Sequence, residues 1–299
     1  MSISVPQHGF RLHYSYTTGK SRKLISRNMS KPGYIHGLNI KHKRSKSGYP
    51  KILDEVDKKY TDWIKATEKL NSESEEELSA KVALLNGYSD YIHSVSEHFK
   101  FQDKLGSSLI EEFLFLLFKD IPLLKADLDS GLLFMGQADA YLNLSFAPRN
   151  LNDFITNPGV YINRKNQDFT ISKKVNCVFK TNENEKKVDL IVPAVTIESK
   201  SYIPKTMFDQ AAYEAQRLKE GNPFALCLIV AEQNALSNDV NLKNTKIDEV
   251  FILRKQKRSK IRKPIDSVVV RELYTFVKNY LNTDWFDNKK GTERGRLVT

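Results

Sequence analysis

The pattern that most constrains the fold is a run of strand-like and helix-like segments between residues 132 and 231. Apolar and β-branched runs predict four strands, at 132–135, 138–146, 169–179 and 188–197. A helix with one apolar stripe follows from Pro204 to Gly221, and 224–231 is apolar throughout, which is typical of a strand covered on both faces. A strand meander, a helix and a buried strand together predict an α/β core in which a mixed β-sheet is flanked by helices.

Helical periodicity predicts further helices outside these strands. It is found at 53–67, 78–85, 101–119 and 267–281. Within the third of these segments, 113–118 is apolar all round and should be deeply buried. The sequence therefore divides into an irregular basic arm at 1–53, a helical region at 54–100, and a core at 101–299 that includes a basic loop at 254–263 and a C-terminal helix.

The positive charge is unevenly distributed. The chain has 47 Lys and Arg against 36 Asp and Glu, which gives a net charge of +11. Residues 1–53 hold eleven of the cations and no acid, so the rest of the chain is balanced. A second acid-free segment, 254–263, holds seven cations in ten residues. Such stretches favour a polyanionic partner, either nucleic acid or an anionic membrane surface, although a charge run can also simply be solvated.

Other features predict a cytoplasmic protein that does not span a membrane. The longest apolar run, 113–118, is far shorter than the roughly 20 residues that cross a bilayer, and the N-terminus has no apolar signal core. The two cysteines, Cys177 and Cys227, stand among apolar residues and are expected to be buried thiols in a reducing compartment.

Chemistry is concentrated in the segment from Lys187 to Lys200. Asp189 and Glu198 bracket an apolar stretch, and alternation along a strand puts Glu198 and Lys200 on the same side. Carboxylates are the hard oxygen ligands that Mg²⁺ prefers, and a nearby cation can orient an attacking water. We therefore expect Asp189, Glu198 and the Ser199 main-chain carbonyl to bind Mg²⁺, with Lys200 positioning the nucleophile. The alternative is a solvated Glu–Lys pair of no chemical consequence.

Those residues and their context resemble the PD-(D/E)xK nucleases, whose core is a helix, a strand meander carrying the catalytic acids, a helix and a further strand. Glu-Ser-Lys-Ser-Tyr-Ile-Pro-Lys-Thr-Met at 198–207 and Gly-Asn-Pro-Phe at 221–224 are most similar to the BbvCI-type group of type II restriction endonucleases. The resemblance covers roughly residues 100–255. It implies a restriction-endonuclease-like core, Mg²⁺-dependent cleavage of double-stranded DNA, and action as a heterodimer. One departure is Val188, which stands where the family has proline before the acid.

These nucleases often add an acid from the helix that precedes the meander. Glu111 and Glu112 occupy that helix, and Glu112 shares the face of Leu105, Leu109 and Leu116. A carboxylate on a core-facing stripe is unfavourable unless it is paired, so Glu112 is the candidate ligand of a metal-bound water. Surface positions for both acids are an equal alternative. Glu214, on the helix after Lys200, is expected to be structural.

A nuclease core beside two basic stretches favours DNA contact by those stretches, because Lys and Arg neutralise phosphates and Arg also reads guanine edges. The candidate DNA-binding residues are Arg22, Lys23, Arg27, Lys41, Lys43, Arg44, Lys46, Arg254, Lys255, Lys257, Arg258, Lys260, Arg262 and Lys263.

The resulting hypothesis is a Mg²⁺-dependent type II restriction endonuclease, or a subunit of one. It should work as a homodimer or as a heterodimer with a related subunit, because one active site cuts one strand. Two alternatives remain open: a structure-specific repair or junction nuclease of the same fold, and a non-catalytic DNA-binding protein in which the Glu-Ser-Lys sequence is accidental.

Overall fold

Helices pack on both faces of one five-stranded β-sheet. The computed structural model describes residues 34–45, 50–98, 104–181, 184–285 and 288–295. Its helices are α1 (Ile35–Arg44), α2 (Pro50–Thr67), α3 (Glu75–Ser94), α4 (Lys104–Phe118), α5 (Pro122–Asp129), α6 (Leu151–Thr156), α7 (Lys205–Gly221), α8 (Ser267–Asn282) and α9 (Asn288–Glu293). Pro122 follows the end of α4 and begins α5, because the first position of a helix needs no N–H donor.

The sheet has five strands in the order β1 (Phe134–Phe146), β2 (Val160–Thr181), β3 (Asn184–Ile203), β4 (Leu226–Asn234) and β5 (Glu249–Ile252). The first three form an antiparallel meander, whereas β4 and β5 continue the sheet in parallel. The strands β2 and β3 are much longer than the sequence pattern predicts. The sheet is therefore mixed, as predicted, and β3 is its central strand.

The core lies between the sheet and the helices on both of its faces. Helix α4 packs against β1, β2 and β3 on one face and against α1 and α3 on its other side. Within α4, Phe113, Leu114, Leu116, Leu117 and Phe118 are buried, which confirms the predicted burial of this apolar segment. Helix α7 covers the opposite face, where Ala215 and Leu218 pack with Ala140 and Leu142 of β1. Gly221, at the end of α7, has no room for a side chain because the Leu142 backbone approaches it closely.

The helical region begins earlier in the chain than the boundary predicted between residues 53 and 54. Helix α1 lies entirely within 1–53, and α2 begins at Pro50. Helix α1 packs on α2 and α4, and His36, Gly37 and Ile40 are buried there. The sequence does not reveal this because residues 35–44 are largely polar, and only packing against α4 makes their helix favourable. Residues 1–33 of the predicted arm lie outside the described residues.

Helix α3 also begins earlier than predicted. The Ser74 hydroxyl caps it by accepting from the Glu77 main-chain N–H, so the acidic residues 75–77 form its first turn. Acids are favourable there because they face the positive end of the helix dipole. None of the helices in the described ranges is long and apolar enough to cross a membrane.

Candidate active site

A β-bulge brings an aspartate into the middle of the meander. Gly136 of β1 pairs with Thr170 of β2 and Ala138 pairs with Gln167, so Gln137 faces two residues, Asp168 and Phe169. Gly136 has a φ of 132°, a conformation that favours glycine. A bulge changes the direction in which side chains leave a strand, and bulges are common beside active sites. This one places Asp168 next to Glu198, because Phe169 pairs with Ile197 on β3.

Asp168, Glu198 and Lys200 form one cluster. The Lys200 Nζ lies 3.0 Å from Asp168 Oδ2 and 2.6 Å from Glu198 Oε1. Asp168 Oδ2 also accepts from the Ser199 main-chain N–H at 2.9 Å. All three charged side chains are at least three-quarters buried. Two carboxylates on neighbouring strands therefore share one ammonium group, and one negative charge remains without a counter-charge inside the cluster.

The surroundings raise the pKa of both Glu198 and Lys200. Burial, followed by repulsion from Asp168, raises the pKa of Glu198. Burial by itself would lower the pKa of Lys200, but attraction to Glu198 and Asp168 outweighs it and raises that pKa. Lys200 is consequently an ammonium at neutral pH. It can donate hydrogen bonds and balance negative charge, but it does not act as a base.

Glu214 lies close to the cluster on α7 but is neutralised by another lysine. Its Oε1 accepts from Lys165 Nζ at 2.6 Å and from Gln210 Nε2 at 3.0 Å. Both partners hold Glu214 in place beside the sheet, which agrees with the structural role expected for it. Within the described part of the chain, no three His, Cys, Asp or Glu side chains lie close enough to hold a metal ion between them. A cation at the cluster would therefore depend on Asp168, Glu198, main-chain oxygen and water.

Asp189, the acid predicted to act with Glu198, does not lie in this cluster. It is nine residues earlier on β3, where it pairs with Asn176 of β2, and its side chain is 54% exposed. Its carboxylate lies 2.7 Å from Lys174 Nζ and accepts from Asn176 Nδ2. These two bonds, chiefly the one to Lys174, lower its pKa. The prediction that Asp189 joins Glu198 and Lys200 is wrong, because the acid opposite Glu198 comes from the neighbouring strand.

Glu112 is buried, as predicted, but it does not face the cluster. Its Oε2 accepts from the main-chain N–H groups of His36 at 2.7 Å and Gly37 at 3.1 Å, and its Oε1 accepts from Tyr60 OH at 2.7 Å. Glu112 thus binds the N-terminus of α1, and its assignment to a metal-bound water is wrong. Burial, only partly offset by these bonds, raises its pKa to about 7. The neighbouring Glu111 is buried as well.

Among the predicted DNA-binding residues of the arm, Arg22, Lys23, Arg27 and Lys46 lie outside the described residues. Lys41, Lys43 and Arg44 occupy the last turn of α1, where cations are favourable because they face the negative end of the helix dipole. Arg44 is engaged within the protein, since its guanidinium lies 2.5 Å from Asp54 and 3.3 Å from Asp57.

The basic loop 254–263 divides into buried and exposed cations. The buried Arg254 lies 2.6 Å from Glu232 Oε2 of β4 and contacts Ser89 Oγ of α3 at 3.2 Å. Arg262 binds the same Glu232 and Ser89. Both arginines join the loop to β4 and α3. The prediction that Arg254 contacts DNA is wrong because its side chain is buried, whereas Arg262 is only partly buried and its contact with DNA stays a prediction. Lys255, Arg258, Lys260 and Lys263 remain exposed.

Comparison with known proteins decides the family. Residues 102–295 match the Bpu10I restriction endonuclease family, which is well over half of the chain. The chain belongs to that family. A solved structure titled "native BbvCI A2B2 tetramer at low resolution" has a TM-score of 0.66 at 18% sequence identity, covering 84% of this chain and 98% of that one. No protein with a curated description matches the sequence.

Membership of the Bpu10I restriction endonuclease family makes the chain a nuclease of a restriction system, and it confirms the resemblance carried by residues 198–207 and 221–224. The structural match confirms the restriction-endonuclease-like α/β fold. The sequence of this chain also contains a signal for Asp168, in the position of the turn between β2 and β3. Counting outward by equal numbers of residues from the 181–186 turn, the residue opposite Glu198 falls within a residue or two of Asp168.

Proposed function

We propose that the chain is a type II restriction endonuclease, or a subunit of one, that hydrolyses phosphodiester bonds of double-stranded DNA at a specific short sequence in the presence of Mg²⁺. The observation that carries the proposal is the cluster of Asp168, Glu198 and Lys200. The cytoplasmic location expected from the sequence is part of the same proposal.

The residues of the cluster suit a Mg²⁺ ion. Asp168 and Glu198 offer hard carboxylate oxygens on adjacent strands, and Mg²⁺ commonly takes only one or two carboxylates and keeps several waters. Lys200 alone cannot balance both acids, and burial together with repulsion from Asp168 raises the pKa of Glu198. Asp168 and Glu198 would therefore hold the ion, with the Ser199 carbonyl as a further oxygen donor. The ion supplies Lewis-acid polarisation of the phosphate and a lower pKa for bound water.

The chain's own groups then have distinct roles. Lys200, held as an ammonium between two carboxylates, donates to the attacking water and limits its orientation. Its charge also stabilises the negative charge that develops on the phosphate in the transition state. The Ser199 main-chain N–H fixes one oxygen of Asp168, so this carboxylate keeps its orientation when substrate enters.

The proposed enzyme acts on both strands as a dimer, because one such cluster cuts one strand of the duplex. The partner is either an identical chain or a related subunit. The BbvCI structure is titled an A2B2 tetramer, which supports a role for non-identical subunits in this group.

The test is to incubate the purified chain with supercoiled plasmid and with linear DNA of known sequence, in Mg²⁺ and in EDTA. Discrete fragments that depend on Mg²⁺ support a sequence-specific endonuclease. Cutting that follows DNA structure instead of sequence would favour a junction or repair nuclease and contradict the proposal. Nicking at one fixed sequence would support a subunit that needs a non-identical partner. Absence of any cleavage, alone and with a related subunit, would contradict a catalytic role.

A further inference from the structure

A large cleft lies at the end of β3, directly after the strand positions that carry Glu198 and Lys200. Its volume is about 920 Å³. Ser201 and Tyr202, the two residues after Lys200 on β3, form one wall, and residues of α3 and α4 form another. The basic loop 254–263 supplies Arg258, Lys260 and Arg262 to the cleft, and Arg262 is paired with Glu232 there. Lys200 does not line the cleft, but Tyr202 does, and alternation along β3 puts Tyr202 on the same face as Lys200, two residues away.

The loop that borders the cleft is firmly joined to β4. Asn234 N donates to Gln256 O at 3.0 Å, and Arg258 N donates to Asn234 O at 2.8 Å, so the loop extends the parallel pairing of the sheet. Gln233 exchanges two hydrogen bonds with the Ser259 main chain, at 3.0 and 3.2 Å. The Lys257 Nζ donates to Leu236 O at 2.7 Å. The backbone at Arg258 is thus fixed before any ligand binds, which lowers the entropy lost on binding.

Arg258 is presented to the cleft without an acidic partner. Its guanidinium lies 3.8 Å from the centre of the Tyr202 ring, and its side chain is exposed. No ion pair in the described part of the chain involves Arg258 or Lys260, in contrast to Arg254 and Arg262. The acids at the cleft are Glu232, which those two arginines neutralise, and Glu97 on the opposite side. An arginine stacked on an aromatic ring keeps its N–H groups free for a planar, two-point contact with phosphate.

We propose that this cleft binds the DNA backbone next to the phosphate that is cut, with Arg258, held on Tyr202, as the main phosphate contact and Lys260 as a second. The proposal rests on the proposed function, since DNA is the polyanion that would bring a phosphate to Lys200. It divides four of the seven cations of the loop by role: Arg254 and Arg262 hold the loop, whereas Arg258 and Lys260 hold the substrate.

The experiment measures DNA affinity in Ca²⁺, which permits binding without rapid cleavage, as a function of salt for wild type, Arg258→Ala, Arg258→Lys and Arg149→Ala. Arg149 is a matched control because its side chain is 87% exposed, and it lies on the connection between β1 and β2, where it does not line the cleft. We expect Arg258→Ala to weaken binding about tenfold and to reduce the salt slope by about one unit. Arg258→Lys should restore the slope but only part of the affinity, and Arg149→Ala should match wild type.

Cleavage assays separate this proposal from the proposed function. Arg258→Ala should raise KM with a much smaller change in kcat. If wild type cuts DNA and Arg258→Ala binds and cuts equally well, the cleft assignment is overturned while the nuclease stands. If Arg258 controls binding but no chain cuts, the cleft stands and the nuclease proposal fails. Wild type that does not bind DNA would contradict the cleft assignment directly. Thermal melting of each variant verifies that the exposed substitutions leave the fold intact.

Discussion

Two acids of β3 pair with a lysine over almost the same distance but in very different surroundings. The Glu198–Lys200 contact is 2.6 Å long, and the Asp189–Lys174 contact is 2.7 Å. Glu198 and Lys200 are mostly buried beside a second acid, Asp168, whereas both members of the other pair are more than half exposed. The contact distance alone therefore does not mark a functional site. Burial and the additional carboxylate do.

The difference follows from solvation. Water screens the exposed pair, so its pairing contributes little to stability and both charges stay solvated. In the buried cluster, removing water strengthens both the attraction to Lys200 and the repulsion between the two carboxylates, which raises the pKa of Glu198. Because the charge of Glu198 is unfavourable beside Asp168, a further cation at this position would be stabilised. An acid already neutralised by a surface lysine gives no such stabilisation.

The largest effect expected from this comparison is on cleavage by Glu198→Gln. The substitution keeps the shape of the side chain but removes one of two charged oxygen donors, so cleavage in Mg²⁺ should fall by about a thousandfold or more. DNA affinity in Ca²⁺ should change much less. Quantifying fragments over time, together with a gel-shift assay, measures both. Cleavage within tenfold of wild type would contradict the role given to Glu198.

The two lysines form a matched pair for the next test. Lys200→Ala should lower kcat by about a hundredfold to a thousandfold, because it removes the donor that orients the attacking water. Lys174→Ala removes the same charge from the exposed pair between β2 and β3, and it should leave kcat within twofold and the free energy of unfolding nearly unchanged. Equal loss of kcat in the two variants would contradict the claim that only the buried pair takes part in catalysis.

Glu112 sharpens the comparison because it is buried, like Glu198, but has only neutral donors around it. Its pKa of about 7 lies above the ordinary 4.5, so the folded protein holds more protons than the unfolded chain between those values. Its contribution to the free energy of unfolding should therefore fall as pH rises from about 5 to about 8, by about 3 kcal/mol. Below pH 6.5 the buried His36, whose pKa is lowered to about 3, acts in the opposite direction.

The difference between wild type and Glu112→Gln isolates this contribution, because His36 is common to both proteins. Denaturant unfolding from pH 5 to pH 8 should show the variant gaining stability relative to wild type as pH rises. A difference that is independent of pH would contradict the assigned protonation. Cleavage at neutral pH should stay within threefold of wild type, since Glu112 binds α1 and not the proposed metal site.

The sequence predicts several helices and strands of the core, and it predicts Glu198 and Lys200 but not Asp168 in the site. Alternation and apolar runs identify β4, α7 and the pairing of Glu198 with Lys200, because these features depend on residues close together along the chain. Asp168 depends on a contact between strands and on a bulge, and neither leaves a local pattern. Asp189 is nearer in the sequence to Glu198, but nine residues along a strand separate the two acids.

The buried polar residues were predictable only in part. The apolar stripe of α4 correctly indicates that Glu112 is buried. Its carboxylate binds the N-terminus of α1, and the polar sequence of α1 does not predict this contact. In the same way, the acid-free loop 254–263 reads as one uniform basic patch. Only the fold shows that Glu232, twenty-two residues before Arg254, pairs with two of its arginines.

The central claim is that Asp168, and not Asp189, completes the site with Glu198 and Lys200. The most direct measurement is the rate of DNA cleavage in Mg²⁺ by Asp168→Asn and by Asp189→Asn, prepared and assayed side by side with wild type. We expect Asp168→Asn to lose cleavage by about a thousandfold or more and Asp189→Asn to cut within about threefold of wild type. Loss of cleavage in Asp189→Asn, with activity retained in Asp168→Asn, would contradict the account.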